Sequence, residues 1–209
     1  MNRILIPLCL LAACSCGRGP AAKGPDVIQQ LVGDSRNRLS LLESEHVPEA
    51  PLAPDDVKAA RAYVDSHLDH TSYHVLFALR RQAPEAYKEI PNGTKAAILT
   101  AALGQINYLN DWGYLLPPDG SHDDEAARAL LETGKDAIEP LKKLLDDRKP
   151  APLFGSQAAT LGTSYNYRRC DFAYRYLSLL LGRDPVFRAT PEERDKEVAQ
   201  LKEDLAKRP

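Results

Sequence analysis

Apolar residues in this chain recur mainly at helical spacing, and the clearest case lies between Ser121 and Asp147, SHDDEAARALLETGKDAIEPLKKLLDD. The two apolar stripes consist of Ala126, Ala127, Leu130 and Leu131, and of Ile138, Leu141, Leu144 and Leu145. Gly134 can adopt the left-handed conformation that often ends a helix. Ser121 and Asp136 are placed to cap the first and second helix. The pattern therefore predicts two short amphipathic helices joined by a tight turn.

Helical patterns continue on both sides of this pair, which needs neighbours because two short helices cannot bury their apolar faces alone. Further helices are predicted from Asp26 to about 44, from Pro54, after a turn at 69–72, from Thr94 to about Asn110, from Tyr165 to Leu181, and from Pro191. No stretch alternates convincingly with period two, so no sheet is predicted. We therefore expect an all-α fold of antiparallel helix pairs, with a long irregular connection over 148–164.

The chain has 209 residues and a formal net charge of −2. This length suits one domain with a sizeable core. Since the chain is nearly neutral and lacks a basic stripe, we expect no nucleic-acid partner. Its cysteines include no CxxC or zinc-like spacing. Cys170, in a predicted helix, is interpreted as a small buried apolar residue.

The N-terminus begins with a short basic segment, followed by an apolar run over 4–13 that is too short to span a bilayer. The run ends in Leu11-Ala12-Ala13-Cys14, which resembles the lipobox of bacterial lipoproteins. This resemblance implies removal of residues 1–13 as a signal peptide and attachment of acyl chains, such as palmitate, to Cys14. The alternative is an ordinary signal peptide that is cut nearby and releases the protein.

Residues 14–25 combine Gly, Pro, Ala and basic residues without apolar periodicity, which is typical of a flexible tether. One helical domain over 26–209 is expected to follow. In Gram-negative lipoproteins the residue after the lipidated cysteine guides sorting, and here it is Ser15 rather than Asp. The resemblance therefore implies a membrane-anchored protein of the bacterial envelope, on the outer membrane facing the periplasm if the host is Gram-negative.

The segment LLETGKDAIEPLKKLLDD resembles a HEAT-type repeat, in which one helix ends in Gly and the next begins with a small residue, Ile and Pro. The matching positions are Gly134, Ala137, Ile138, Pro140, Leu141, Leu144 and Leu145. HEAT-type repeats generally bind other proteins, so the resemblance implies interaction rather than chemistry. A repeat stack and a compact helical bundle with one repeat-like pair both remain open, because no clean period of about 40 residues recurs.

Three histidines, His67, His70 and His74, are spaced so that a continuous helix would place them on one stripe, where they could ligate zinc. The sequence between Asp69 and Ser72 instead predicts a turn and cap, so we interpret them as surface or cap histidines. No HExxH, calcium-loop, GxSxG or SxxK pattern occurs. We therefore predict no catalytic residue, metal site or cofactor, and no residue argues for an enzyme.

Two loops flank the organising pair, and both contain aromatic residues. If each loop joins neighbouring layers, both lie on the same edge of the helical stack, and aromatic residues with arginine are typical of binding hot spots. The candidate interaction residues are Trp112, Tyr114, Leu115, Phe154, Tyr165, Tyr167, Arg168 and Arg169. The alternative is that Trp112 and Phe154 fold back over the ends of the core.

Two functions follow from these patterns. The first is an envelope scaffold or interaction module, anchored through its N-terminal lipid, with another envelope protein as its partner. The second is an envelope ligand-binding protein or enzyme with a pocket under the 148–164 segment, because long connections in compact domains are often functional.

Overall fold

The computed structural model describes residues 24–44, 51–115 and 124–207. Over these ranges the chain forms eleven α-helices and two short 3-10 helices, without a strand, so the predicted all-α class is confirmed. An isolated antiparallel bridge joins Pro150 to Arg168. The signal peptide, Cys14, most of the tether and the Ser121 cap lie outside the described residues.

The N-terminal part consists of α1 (Gly24–Asn37), α2 (Pro54–Ser66) and α3 (Tyr73–Gln82), which pack against one another. Pro54 begins α2 as predicted, since the missing N–H of proline costs little in the first turn. The predicted turn before α3 is also present, because the Asp69 side chain accepts a hydrogen bond from Thr71 N and caps a 3-10 turn.

The first predicted helix was expected to run to about residue 44, but α1 ends at Asn37. Arg38 there adopts a left-handed conformation with φ 58°, which an α-helix cannot contain. The chain then forms a turn over 39–44, and Leu41 is nevertheless buried. The apolar stripe of the predicted helix instead included Leu39, which is half-buried, and Leu42, which is 73% exposed, so this part of the prediction is wrong.

The middle of the chain forms α4 (Pro84–Lys88), α5 (Asn92–Leu103) and α6 (Leu109–Trp112). The helix predicted over 94–110 is thus divided, since α5 ends before Gly104 and the next residues turn. Ile106 and Leu109 remain buried despite this break.

The organising pair forms α7 (Glu125–Glu132), a 3-10 turn (Gly134–Ala137) and α8 (Ile138–Leu144). Gly134 has φ 61°, which confirms its left-handed role at the end of the first helix. The predicted Asp136 cap is wrong, because Asp136 lies inside the 3-10 turn and α8 has no side-chain cap. As expected, the pair packs against its sequence neighbours, with α7 on α5 and α8 on α10 (Arg169–Leu180).

The C-terminal part forms α9 (Ser156–Tyr165), α10 (Arg169–Leu180) and α11 (Pro191–Ala206). The irregular connection predicted over 148–164 is therefore wrong in its second half, and the helix predicted from Tyr165 begins at Arg169. Thr190 and Glu193 form a capping box ahead of α11.

One apolar core joins these helices, and most residues of α10 are buried. Cys170 is buried as predicted, and burial raises the pKa of its thiol to about 12, so the thiol is neutral at physiological pH. Within the described ranges, no helix has the length and apolar composition needed to cross a membrane.

Candidate interaction surface

The eight predicted interaction residues do not all reach the surface. Trp112, Leu115, Tyr167 and Arg168 are buried, whereas Tyr114, Tyr165 and Arg169 are half-buried. Phe154 is 54% exposed. The surface available to a partner is therefore smaller than the predicted set and is centred on Phe154 and Tyr114.

Trp112 is part of the core, with 3% of its surface exposed. Its ring stacks on Tyr73 at a centroid distance of 5.9 Å and meets Tyr176 edge-on at 6.2 Å. The Tyr176 hydroxyl donates a hydrogen bond to the Trp112 carbonyl. Trp112 thus folds back over the core, as the alternative interpretation proposed, and offers no surface to a partner.

The two loops on either side of the organising pair do meet at one edge of the fold. The Tyr114 hydroxyl donates to Gln157 Oε1 at 3.3 Å. The backbone N–H of Phe154 donates to the Asn107 carbonyl at 2.7 Å, which ties the second loop to the turn before α6. The described part of the first loop, up to Leu115, therefore lies beside the second loop, as expected.

Between these loops lies a depression of about 220 Å³, which we call the aromatic groove. Its lining includes Glu43, Tyr108, Asn110, Tyr114, Phe154 and Gln157. The Tyr108 and Phe154 rings are tilted by 43° with centroids 6.3 Å apart. Burial raises the pKa of Tyr108, and the nearby Glu43 carboxylate raises it further. The groove thus combines three aromatic rings with one carboxylate.

The position of Tyr114 in the groove depends on Gly113. Gly113 has φ 77°, and a Cβ there would lie 2.5 Å from Asp124 Oδ2, so glycine is required for conformation and for space. The buried Arg175 then donates a hydrogen bond to the Tyr114 carbonyl from below. The loop is therefore fixed by its backbone while the tyrosine ring remains partly exposed.

A buried polar network lies beside the groove and is centred on Asp111. The Asp111 carboxylate accepts hydrogen bonds from Ser40 Oγ at 2.8 Å, Tyr73 Oη at 3.0 Å and Leu41 N at 3.2 Å. Burial outweighs these bonds and raises the pKa of Asp111 to about 6. The network holds the 39–44 turn, and with it Glu43, against α6.

His74 is fully buried on the other side of this network, which corrects its interpretation as a surface or cap histidine. Its Nδ1 lies 3.0 Å from Ser35 Oγ, its Nε2 has no hydrogen-bond partner, and burial lowers its pKa to about 4. His67 is instead exposed and stacks on Tyr63. The three histidines do not converge, and the described residues contain no cluster that could hold a metal ion.

A small cavity of about 30 Å³ adjoins both His74 and Asp111. This volume is close to that of one water molecule in the liquid, so the cavity is too small for an organic substrate. The hydroxyls beside it already have partners, since Ser40 donates to Asp111 and Ser35 contacts both His74 and the Leu31 carbonyl. The network is therefore suited to holding the fold together.

A larger cavity of about 420 Å³ lies under the 150–153 segment, where the sequence predicted a possible pocket. Its lining includes Arg148, Pro150, Leu153, Gly162, Asn166 and Tyr167. Helix α9 approaches this segment closely at Gly162, where a Cβ would lie 2.9 Å from Leu153 Cδ1. The volume falls in the range of about 300–1,000 Å³ that is usual for small-molecule sites.

Two predicted interaction residues near this cavity have structural roles instead. Arg168 pairs with Asp171 at 2.9 Å and with Asp195 at 2.9 Å. Asp171, in turn, pairs with the buried Arg194 at 3.0 Å. The Tyr167 ring packs edge-on against Phe172. Arg168 and Tyr167 therefore hold α9, α10 and α11 together.

Sequence reasoning missed Glu43, Tyr108 and Gln157 as groove residues. Tyr108 was placed inside a helix that in fact ends at Leu103, and Glu43 was assigned to the end of α1. No local pattern marks these positions, because long-range hydrogen bonds bring them together.

Comparisons with known proteins give no relative from which a function could be transferred. No protein-family model matches this chain, no curated protein is significantly similar to it, and no solved structure resembles it significantly.

Proposed function

We propose that this chain is an interaction module of the bacterial envelope, anchored by lipid on Cys14, which binds another envelope protein through the aromatic groove. The outer membrane, facing the periplasm, is the proposed location in a Gram-negative host. The HEAT-like pair over 121–147 acts in this proposal as part of the scaffold that supports the groove.

The observation that carries the proposal is the exposure of Phe154 beside two tyrosines. A phenylalanine that is 54% exposed keeps much of its apolar surface in water, which is unfavourable unless a partner covers it. Tyr108 and Tyr114 also line the groove. Each combines an apolar ring with a polar hydroxyl, so it can face water in the free protein and contact a partner in the complex. Nearby, Leu42 precedes Glu43 and is 73% exposed. Aromatic residues grouped in this way are typical of binding hot spots.

The proposed anchor rests on the resemblance of Leu11-Ala12-Ala13-Cys14 to a lipobox. Two or more acyl chains hold a protein at a bilayer firmly, whereas a single chain binds only marginally. Membrane fractionation of the native protein and of a Cys14→Ala variant tests this part. We expect the variant to leave the membrane fraction, and its retention there would contradict the lipid anchor.

The interaction itself is tested by chemical crosslinking in intact cells, followed by purification and mass spectrometry. Phe154→Ala is compared with Leu68→Ala, a matched control because Leu68 is 51% exposed and lies between α2 and α3, away from the groove. We expect one envelope protein to be recovered with the native chain and with Leu68→Ala, but not with Phe154→Ala. Equal recovery with all three would contradict the proposed surface.

A second candidate function is small-molecule binding in the cavity under the 150–153 segment, which its volume of about 420 Å³ favours. Native mass spectrometry of the protein purified from its host would show a retained compound as an added mass. The Ala159→Phe variant, which reduces the cavity, should lose that mass. If the native chain carries no added mass, the interaction function is favoured.

A further inference from the structure

We infer that the aromatic groove receives an arginine side chain from an extended segment of the partner protein. This inference rests on the proposed function and specifies the chemistry of the partner. It is carried by three properties of the groove: its ring faces, its carboxylate and its volume.

The Tyr108 and Phe154 rings provide π faces that no cation of the described residues covers. Within the described ranges, the cation–π contacts lie elsewhere, with Arg80 and Lys95 over Tyr87 and Arg194 over Tyr167. The negative face of an aromatic ring attracts a cation, and more strongly as the site loses water. The two tilted rings, with centroids 6.3 Å apart, therefore form an uncovered binding site for a positively charged group.

Glu43 supplies the charge that selects a cation. It is the one ionisable acid or base among the residues that line the described groove, apart from the tyrosine hydroxyls. Glu43 lines the groove together with both rings, and the Asp111 network fixes the turn from which it projects. A cation on the ring faces would thus lie close to a carboxylate at the same time. An anionic partner would instead be repelled.

The volume of the groove favours one side chain over a free ligand. At about 220 Å³ it lies below the range of about 300–1,000 Å³ that is usual for drug-sized compounds. Arginine fits better than lysine because its planar guanidinium can stack on a ring and donate two parallel hydrogen bonds to a carboxylate. The Asn110 and Gln157 amides, also on the lining, can bond to the backbone of an extended segment.

Fluorescence polarisation of labelled peptides on the lipidated full chain in detergent micelles tests this inference. Three peptides of equal length alternate glycine with arginine, with lysine or with citrulline, which retains the shape of arginine but lacks its charge. We expect the arginine peptide to bind about two- to fivefold more tightly than the lysine peptide and at least about fivefold more tightly than the citrulline peptide. Equal binding of arginine and citrulline peptides would overturn the inference.

Two pairs of variants locate the binding. Phe154→Ala should weaken the affinity for the arginine peptide by about fivefold, because a ring face is lost. Glu43→Gln should weaken this affinity by about two- to fivefold, because a charge pair is lost. The controls Leu68→Ala and Glu203→Gln change an equally exposed side chain and an exposed carboxylate elsewhere, and should leave binding unchanged. Equal losses in variants and controls would show non-specific attraction and overturn the inference.

Failure of this inference can be distinguished from failure of the proposed function. If crosslinking captures a partner that Phe154→Ala loses, while the arginine peptide does not bind, the cationic partner is wrong and the interaction function stands. If neither experiment detects binding at the groove, both are wrong.

Discussion

Ser40 and Asp111 lie 71 positions apart in the chain, yet the Ser40 hydroxyl donates a 2.8 Å hydrogen bond to the buried Asp111 carboxylate. The same carboxylate accepts from Leu41 N and from the Tyr73 hydroxyl. This contact joins the turn after α1 to α6 and brings Glu43 to the aromatic groove. The shape of the proposed binding surface therefore depends on one buried acid.

Removing that acid should destabilise the fold strongly. Asp111→Ala leaves the Ser40 hydroxyl, the Tyr73 hydroxyl and the Leu41 N–H without their acceptor, and each buried orphan donor costs about 1–3 kcal/mol. We expect a total loss of about 3 kcal/mol in the free energy of unfolding, measured by urea denaturation. The exposed Asp184→Ala serves as control and should change it by less than about 0.5 kcal/mol. A loss below about 1 kcal/mol for Asp111→Ala would contradict this role.

His74 and Asp111 should make opposite contributions to the pH dependence of stability. The pKa of His74 is lowered to about 4, so its stabilising contribution is present above pH 6.5 and is lost as the pH falls towards 4. The pKa of Asp111 is raised to about 6, so its contribution is present below pH 3.8 and is lost as the pH rises through 6. Each effect amounts to about 3 kcal/mol, and between pH 6 and 4 they nearly cancel.

Asp111→Asn should reveal this compensation because it removes one of the two titrating groups. We expect the substitution to lower the free energy of unfolding by about 2–3 kcal/mol more at pH 4 than at pH 7. Urea denaturation at several pH values measures the difference, and His74→Gln should change the slope in the opposite direction. If the difference between Asp111→Asn and the native chain does not vary with pH, the buried acid does not titrate as described.

The ion pairs of Asp171 should contribute far more to the stability of the fold than the ion pairs on the surface. Asp171→Ala leaves the buried Arg194 and the nearly buried Arg168 without a shared carboxylate, which typically costs about 3–5 kcal/mol. Glu139→Ala breaks the exposed pair with Lys142 and should cost less than about 0.5 kcal/mol. Guanidinium denaturation of both variants gives the comparison, and similar losses would contradict the distinction.

Gly113 should not tolerate a side chain. In Gly113→Ala the backbone keeps a positive φ, and the added Cβ would lie 2.5 Å from Asp124 Oδ2. We therefore expect the free energy of unfolding to fall by about 2 kcal/mol and Tyr114 to be displaced. Gly93→Ala is the control, since a Cβ there has open space inside α5 and should stabilise the fold by up to about 1 kcal/mol. Thermal unfolding measures both, and a neutral Gly113→Ala would contradict the assigned constraint.

Helices with a clear start signal were predicted well from the sequence. Pro54 and Pro191 begin α2 and α11, and Gly134 ends the first helix of the organising pair. Apolar periodicity was less reliable for helix ends, because Ile106 and Leu109 are buried without continuing α5. Burial satisfies the hydrophobic effect whatever the backbone conformation, so an apolar stripe can extend beyond its helix.

The missed features depend on contacts that no local pattern records. Helix α9 has only Ala158 buried and carries weak periodicity, so it was assigned to a loop. The helix instead packs at Gly162 against Leu153, a contact between residues of the same segment that no apolar stripe indicates. Arg194 and Asp171 are buried as an ion pair, although charged residues usually lie on the surface and no local pattern marks these two. The groove was predicted only in part, because its exposed phenylalanine is visible in the sequence while Tyr108 and Glu43 come from other elements.

Site-specific photocrosslinking in intact cells tests the central claim most directly. A benzoylphenylalanine replaces Phe154 in one strain and Leu68 in another, and the irradiated adducts are identified by mass spectrometry. We predict one dominant adduct from position 154 and none from position 68, with an arginine close to the crosslinked position of the partner. Glu43→Gln in the same strain should reduce that adduct. No adduct from position 154, or the same adducts from both positions, would contradict the account.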